Sequence, residues 1–266
     1  MPFLTTDRGL RWHYETTGGG DPVLFIHGFG GSGRWWGAQE EFLRSGHQVI
    51  IVDLPGHGQS AWMPVTLGGL AVDLRQLISG LGISQFNVVS SSFGGLIAFE
   101  LYWMVPESVM RMSFVGAIPK FARAPGYPAG LDVEKIRTLS NQFDGDYASV
   151  LEMFFRSLFT AQERGSERFK WVRNMYRRSV LPQREALKCF LDILEKTDLR
   201  GHLAGVICPV QFVTGSDDYI CPRPVMARVA EHFVNARFDV MRGCGHLPFL
   251  TKPDEYNRLL EDFLIQ

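Results

Sequence analysis

Three consecutive serines stand where an apolar run at residues 86–89 gives way to two glycines and a helical pattern. A sharp strand-to-helix turn can hold a serine in a strained backbone conformation with an exposed hydroxyl, and it needs small residues two positions before and after that serine. Of Ser90, Ser91 and Ser92, only Ser92 has a glycine, Gly94, two positions later. The pattern therefore predicts Ser92 as a nucleophile, with Ser90 standing where a glycine is usual.

A glycine-rich loop at residues 27–32 follows an earlier apolar run, residues 23–26. Such a loop can present a backbone N–H beside a nucleophile, and the N–H of the residue after the serine supplies a second donor. The sequence thus predicts the amides of Phe29 and Phe93 as an oxyanion hole. The alternative, a phosphate-binding loop, would require GxxxxGK[ST] or GxGxxG spacing, and the loop has neither.

His246 lies in a glycine-flanked loop after the last apolar run, where it is free to approach Ser92 and to act as a base. Asp217 and Asp218 end another apolar run, residues 210–213. An acid at that place can fix the tautomer of a catalytic histidine and stabilise its imidazolium form. The two acids are adjacent and point in different directions, so only one can serve. Helix-capping acids in a turn are the alternative interpretation.

The elements that position these residues alternate between short apolar runs and longer helical patterns. This alternation predicts an α/β fold with a mostly parallel central sheet flanked by helices. An amino-terminal hairpin at residues 3–6 and 10–14 is expected to add antiparallel strands at one edge. The predicted buried strands are residues 23–26, 48–52, 86–89, 112–115, 210–213 and 238–241, and the predicted helices are residues 35–44, 67–81, 95–104, 224–233 and 253–264.

The alternation stops once, between residues 119 and 202, where only helical patterns and turn residues occur. Insertions at the carboxyl ends of strands are where open α/β sheets bind ligands. We therefore expect residues 119–202 to form a helical cap over a core made of residues 1–118 and 203–266.

Composition narrows the class of protein. The 266 residues are 45% hydrophobic and 21% charged with a net charge of −1, so no global field attracts nucleic acid or a membrane surface. No apolar run approaches the roughly 20 residues of a membrane span, and the first residues lack the pattern of a signal peptide. The four cysteines lack metal-binding spacing and are expected to be reduced thiols in a cytoplasmic protein, with no bound metal.

Together these motifs resemble the α/β-hydrolase superfamily over essentially the whole chain. The motifs are His27-Gly28-Phe29-Gly30, the stretch at residues 53–60, the turn at Ser92, Gly215-Ser216-Asp217-Asp218 and Gly245-His246. The resemblance implies Ser92 as nucleophile, His246 as base and, by position relative to the strand-end glycine, Asp218 rather than Asp217 as the acid. It implies ester hydrolysis through an acyl-enzyme that needs no cofactor.

Within that superfamily the chain resembles the biotin-pathway esterases that demethylate pimeloyl-[acyl-carrier protein] methyl ester. The similarity rests on the small size, the loop at residues 27–30 and the stretch at residues 193–200. Three alternatives stay open, because a fold and a triad do not fix a reaction. They are hydrolysis of another small ester, cleavage of a carbon–carbon bond or related triad chemistry, and ligand binding by a non-catalytic homologue.

The predicted cap carries a charge asymmetry. Between residues 156 and 188 there are nine basic and three acidic residues. A solvated helix face is one interpretation. The other is a docking surface for an acidic partner such as an acyl-carrier protein, which would deliver its acyl chain to a covered serine. The candidate docking residues are Arg156, Lys170, Arg173 and Arg177.

Overall fold

A computed structural model describes residues 2–266, so Met1, the first residue of the predicted core, lies outside the described residues. Its centre is an eight-stranded sheet in the order β1-β2-β4-β3-β5-β6-β7-β8. β2 runs antiparallel to both of its neighbours, and all other pairs are parallel. The strands are β1 (Phe3–Thr5), β2 (Arg11–Gly18), β3 (Asp21–Ile26), β4 (His47–Val52), β5 (Phe86–Ser91), β6 (Val109–Val115), β7 (Val210–Gly215) and β8 (Ala236–Met241).

Helices cover both faces of this sheet, which confirms the predicted α/β fold class. Strands that are buried on both faces are typically continuous apolar runs, and every residue of β5 and of β7 is buried. The helices are α1 (Gly37–Leu43), α2 (Leu67–Gly80), α3 (Phe93–Met104), α4 (Val133–Gln142), α5 (Tyr147–Ser157), α6 (Ala161–Arg164), α7 (Glu167–Arg177), α8 (Arg184–Lys196), α9 (Arg223–Ala230), α10 (Pro248–Thr251) and α11 (Pro253–Leu264).

Helices α4 to α8 all lie between β6 and β7, in the part of the chain where no sheet strand was expected. Polar side chains mark where four of them begin, because the first N–H groups of a helix need acceptors. Asp132, Asp146, Thr160 and Ser166 each accept a hydrogen bond from the first turn that follows. Inside this helical layer the rings of Phe155 and Tyr176 stack with centroids 4.0 Å apart.

Several boundaries differ from those expected. β2 continues to Gly18 rather than ending near residue 14, because residues 14–18 pair with β4. The expected helix at residues 35–44 begins as a 3-10 turn, Gly33–Trp36, before α1. The four cysteines are free thiols. Within residues 2–266, no helix combines the length and apolar character that crossing a membrane requires.

Candidate active site

Ser92 occupies the single residue between the end of β5 and the start of α3. Its φ of 53° makes it the only non-glycine residue of the 2–266 range with positive φ. That conformation costs an L-residue about 1–3 kcal/mol and persists where the surrounding structure imposes it. Here the Ser92 N–H donates to the carbonyl of Val115 at 2.9 Å. The strand, the strained serine and the helix together form the sharp turn that the sequence predicted.

Two glycines allow the chain segments around this turn to approach each other. A Cβ on Gly94 would lie 2.7 Å from the main-chain oxygens of Ile26 and His27, and a Cβ on Gly28 would lie 3.0 Å from the Ser92 Cβ. A side chain on Gly94 would require movement of the backbone, and one on Gly28 would require its neighbours to shift by a few tenths of an ångström. Ser90, which stands where glycine is usual, is fully buried, and its hydroxyl lies 3.5 Å from the Ser113 carbonyl.

The structure distinguishes Asp217 from Asp218, which the residue types alone could not do. Asp218 is buried, and its Oδ2 lies 2.8 Å from Nδ1 of His246. Its other carboxylate oxygen accepts the N–H groups of Ile220 at 2.8 Å and Cys221 at 3.0 Å, so the carboxylate is held from two sides. Asp217 instead is exposed and accepts from the neighbouring Ser216 hydroxyl. Only Asp218 can orient His246.

Ser92 and His246 face the same cavity, which has a volume of about 190 Å³. Among residues 2–266 no hydrogen bond links the Ser92 hydroxyl to the His246 ring; such contacts are often long in a free enzyme and shorten when substrate binds. Apolar side chains from both the sheet side and helices α4, α5 and α8 form most of the wall. They are Phe29, Trp35, Leu131, Ile136, Leu139, Phe154, Leu158, Leu191, Leu194, Ile220 and Leu247.

The two amides expected to bind an oxyanion are free to do so. Neither the Phe29 N–H nor the Phe93 N–H donates a hydrogen bond to another group within residues 2–266. Phe93 is the first residue of α3, and the first N–H groups of a helix have no partner inside the helix. The rings of both residues point into the helical layer, where Phe29 meets Phe154 edge-on at 5.3 Å and Phe93 stacks on Phe190 at 4.5 Å.

Two histidines near the site are structural. His27 Nδ1 donates to the Gly28 carbonyl at 2.8 Å, and its Nε2 accepts the N–H of Leu54 at 3.0 Å. Both nitrogens of His27 are therefore engaged, and burial lowers its pKa. His57 is buried against the ring of Phe190, and desolvation lowers its pKa to about 3. Neither ring lines the cavity that contains Ser92 and His246.

Sequence reasoning missed the contacts between the His246 loop and the helical layer formed by α4 to α8. The carboxylate of Glu163, buried in helix α6, accepts the N–H of Gly245 at 2.9 Å and the hydroxyl of Thr251 at 2.6 Å. The Leu158 carbonyl accepts the N–H of His246 itself at 2.8 Å. The sequence pattern Thr160-x-x-Glu163 is a capping box, which predicts where a helix begins. It does not predict that Glu163 also contacts the loop that carries His246.

The basic residues singled out on the predicted cap are not at the cavity. Arg173 and Arg177 both donate to Oε1 of Glu152, each at 2.7 Å, and Lys170 pairs with Glu167. Arg156 is exposed and has no carboxylate within 4.0 Å in the described chain. None of the four lines the wall around Ser92.

The charged residue that does line that cavity is Lys135 of α4, which the sequence analysis did not single out. It is exposed and has no ion-pair partner within residues 2–266. A free ammonium group at the edge of an apolar cavity can contact an anionic group of a ligand that enters the cavity.

Asp218, Cys221 and His246 also form a cluster of three potential metal ligands, with ligand atoms within 4.8 Å of one another. Their donor atoms are already engaged, because Asp218 accepts from His246 and two amides, and the Cys221 thiol donates to the Gly116 carbonyl at 3.0 Å. Burial and the nearby Asp218 raise the pKa of Cys221 well above its usual value, so the thiolate that a metal requires is disfavoured. The cluster suits a hydrogen-bonded Asp–His pair better than a metal.

Named proteins with similar sequences match this chain over most of its length. The chain is 29% identical over 244 residues to a pimeloyl-[acyl-carrier protein] methyl ester esterase of Nitrosomonas europaea, covering 92% of this chain and 96% of that protein. It is 29% identical over 257 residues to the esterase of the same name from Methylococcus capsulatus, covering 94% and 97%.

Solved structures share the fold across different named activities. An esterase from Exiguobacterium antarcticum superposes with a TM-score of 0.91 at 23% identity, covering 99% of both chains. A bromoperoxidase from Bacillus anthracis gives 0.88 at 26% identity, covering 97% of this chain and 96% of that one. An enol-lactonase from Burkholderia xenovorans LB400 gives 0.89 at 20% identity over the full length of both.

The model of the alpha/beta hydrolase fold family matches residues 21–253, from the first strand of the parallel sheet to the start of the last helix. That match spans the strained serine, the Asp–His pair and the helical layer above them. The chain belongs to the α/β-hydrolase family.

Proposed function

We propose that the protein is a serine hydrolase that cleaves a carboxylic ester with Ser92 as nucleophile, His246 as base and Asp218 as the orienting acid. One observation carries the proposal: the strained Ser92 shares an apolar cavity with His246, whose Nδ1 is bound to a buried carboxylate. A strained serine and a carboxylate-held histidine facing one cavity are the parts that nucleophilic acyl transfer requires.

The reaction follows from this geometry. His246 Nε2 takes the proton of the Ser92 hydroxyl as its oxygen attacks the ester carbonyl, and the amides of Phe29 and Phe93 bind the resulting oxyanion. Collapse of the tetrahedral intermediate breaks the bond to the alcohol, which leaves with the proton from His246. A water molecule, deprotonated by His246, then attacks the acyl-enzyme and releases the acid. Asp218 keeps the imidazole in the tautomer that both steps need.

The division of the chain is part of this proposal. Residues 1–118 and 203–266 form the catalytic core, and residues 119–202 form a cap that closes the cavity over Ser92. The apolar cap residues of the cavity wall support this division, as does the hydrogen bond between the hydroxyls of Ser157 and Tyr219, which joins α5 to the loop after β7 at 2.8 Å.

We further propose that the substrate is pimeloyl-[acyl-carrier protein] methyl ester, turned over in the cytoplasm. The names of the two esterases described above support this choice, and so does the apolar wall, which suits an unbranched acyl chain. The methyl ester would lie at Ser92 and the carrier outside the cavity. Lys135 at the cavity edge would then contact an anionic group of the carrier-linked arm.

An acidic carrier would dock on the basic surface formed by Arg156, Lys170, Arg173 and Arg177. Ion pairs reduce the positive charge of that surface unevenly. Glu152 offsets part of the charge of Arg173 and Arg177, and Glu167 offsets that of Lys170. Arg156 therefore presents the least compensated positive charge of the four.

The first experiment tests the hydrolase itself. Wild-type protein should react with a fluorophosphonate probe and hydrolyse short p-nitrophenyl esters, and Ser92→Ala should abolish both. Ser90→Ala and Ser91→Ala are matched controls that should keep most of the activity, because those serines lie within the strand. A Ser92→Ala variant with near wild-type turnover would contradict the proposal, and a wild-type protein without labelling would favour a non-catalytic homologue.

The second experiment tests the carrier. Arg156→Glu should raise KM for the carrier-linked methyl ester while leaving kcat/KM for a p-nitrophenyl ester unchanged. Arg228→Glu, on the exposed side of α9, is the matched control. Added salt should weaken only the carrier reaction, since exposed charges are screened over about 8 Å at physiological ionic strength. Equal effects on both substrates would instead indicate a small free ester.

Reversal of Arg173 and Arg177 is a more severe version of the same experiment. Because both donate to Glu152, their loss also removes contacts between α5 and α7. Loss of activity on both substrates would show that these arginines hold the cap together. Loss on the carrier-linked ester alone would support docking.

A further inference from the structure

A second cavity, about 320 Å³ in volume, lies away from Ser92. The loop between β3 and α1 borders both cavities: Phe29 and Trp35 face the Ser92 cavity, and residues 32–34 face the second one. The opposite wall comes from residues 178–180, which follow α7. The cavity is therefore built between the sheet side of the molecule and the helical layer, and the proposed reaction does not use it.

Two arginines stand at the rim of this cavity, one from each side. Arg34 belongs to the loop before α1 and Arg178 follows α7. Both are exposed, and neither guanidinium has an ion pair or a side-chain hydrogen bond within residues 2–266. Arginine presents a planar set of N–H donors that binds carboxylate or phosphate in a bidentate manner.

The floor of the cavity supplies a further unused donor. Ser32 is 4% exposed, and its hydroxyl has no hydrogen-bond partner in the described chain. Leaving a buried polar group unsatisfied is unfavourable, so the Ser32 hydroxyl favours a ligand that accepts its proton. The Ser32 oxygen is shielded in the free protein, so a ligand would reach it only after the Ser32 side chain turns toward the cavity.

Two acids, Asp53 and Glu15, also line the cavity and offset part of its positive charge. Asp53 accepts from His13 Nδ1 at 2.9 Å, from the Gly33 N–H at 2.8 Å and from the Gln59 N–H at 3.0 Å, so both of its oxygens are occupied. Glu15 lies at the rim, 3.9 Å from His13 Nε2, with half of its side chain in solvent. Water screens Glu15 as it screens the two exposed arginines, and neither arginine is paired with a carboxylate within residues 2–266.

We propose that this second cavity binds a small oxyanion ligand, a carboxylate or a phosphate, held between Arg34 and Arg178 with the Ser32 hydroxyl donating from the floor. One guanidinium comes from the loop that also carries Phe29, and the other from the segment joining α7 to α8. The bound anion would bridge these two parts of the molecule and stabilise them together.

Isothermal titration calorimetry on the full chain tests this site with two probes, inorganic phosphate and adipate, each at an ionic strength matched with sodium chloride. At least one probe should bind saturably to the wild-type protein and raise its Tm. Arg34→Gln and Arg178→Gln should each weaken binding about tenfold, as loss of a charge-assisted hydrogen bond predicts. Ser32→Ala should weaken it less, and Arg228→Gln should bind like the wild type.

The pattern across probes and variants decides the result. Binding of phosphate alone or of adipate alone identifies which oxyanion the site takes. Absence of saturable binding by both probes would overturn the proposal, as would binding that survives in Arg34→Gln and Arg178→Gln variants with wild-type circular dichroism. Binding lost in Lys135→Gln but kept in Arg34→Gln would place the ligand in the Ser92 cavity, which would also overturn it.

Discussion

Residues 2–266 contain two buried histidine–aspartate pairs. His246 Nδ1 lies 2.8 Å from Asp218, and His13 Nδ1 lies 2.9 Å from Asp53. All four side chains are buried, and in each pair the carboxylate also accepts two main-chain N–H groups. By distance, burial and hydrogen bonding the two pairs are nearly the same.

They differ in what faces the remaining ring nitrogen. His246 lies in a loop after β8 and opens onto the apolar cavity that contains the strained Ser92. His13 lies within β2, and its Nε2 is 3.2 Å from the side-chain amide of Gln59. The serine that shares the His13 cavity, Ser32, has an extended backbone. Only the His246–Asp218 pair has beside it the strained serine and the free amides that the proposed reaction requires.

The largest expected effect comes from replacing the aspartate of each pair, first Asp218 and then Asp53, with asparagine. Asp218→Asn should lower kcat for a p-nitrophenyl ester by about 10⁴, because the amide no longer holds His246 in the required tautomer. Asp53→Asn should leave kcat within about tenfold and lower the free energy of unfolding by about 2 kcal/mol, as expected when one partner of a buried polar contact is changed. Steady-state kinetics and urea unfolding measure both.

Asp217→Asn is the matched control for this pair of variants, since Asp217 is exposed and adjacent to Asp218. Its kcat should remain close to wild type. A loss in Asp217→Asn as large as in Asp218→Asn, or a 10⁴ loss in Asp53→Asn, would remove the distinction between the two pairs.

The next effect concerns the contact between Glu163 of α6 and the loop that carries His246. Glu163→Ala removes the acceptor for the Gly245 N–H and should lower kcat about 10²-fold with little change in KM, because a shift of about 1 Å in a reacting group has that cost. Glu163→Gln keeps one acceptor oxygen and should restore part of the rate. A rise in KM with unchanged kcat, or no rescue by glutamine, would show that Glu163 does not position His246.

A third histidine sharpens the comparison, because His57 is buried with no hydrogen-bonded carboxylate. Its folded-state pKa is lowered to about 3 by desolvation, whereas an unfolded histidine titrates near 6.5. Between these values the unfolded state binds more protons, so the free energy of unfolding should fall as pH decreases, by up to about 1.4 kcal/mol per pH unit. Above pH 6.5 this contribution is fully present.

Urea unfolding between pH 7.5 and 4.5 measures this slope. In His57→Gln the slope should be shallower than in the wild type, and the exposed His232→Gln should retain the wild-type slope. Identical slopes in all three proteins would mean that His57 takes up its proton in the folded state as readily as in the unfolded one.

The smallest effect is expected at Ser90, the departure from the usual turn sequence. Ser90→Gly should leave kcat within about threefold and cost about 0.5–1 kcal/mol of stability, the usual penalty for glycine inside a strand. Kinetics and thermal unfolding test this together. A variant that fails to fold would show that the buried Ser90 hydroxyl has a structural duty beyond its 3.5 Å contact with the Ser113 carbonyl.

Much of this protein follows from local sequence. Apolar runs of strand length alternating with helical patterns were sufficient to predict the parallel sheet, because strands buried on both faces are mostly apolar. The glycine two positions after Ser92 predicted the sharp turn there, because such a turn needs a small residue at that position. This pattern is local, and the sequence carries it directly. The contact behind it is long-range, since a Cβ on Gly94 would lie 2.7 Å from the main-chain oxygens of Ile26 and His27 at the end of β3.

Other features of the site depend on contacts between segments that are far apart in the sequence. Asp217 and Asp218 are chemically identical neighbours, and only the path of the loop after β8 brings one of them to His246. The same path places Gly245 against Glu163, some eighty residues earlier, and the packing of α4 brings Lys135 to a cavity that the basic residues of α7 do not reach. These hydrogen bonds and cavities form between segments that are distant in the sequence. The spacing of residues within one segment does not show which other segment will pack against it.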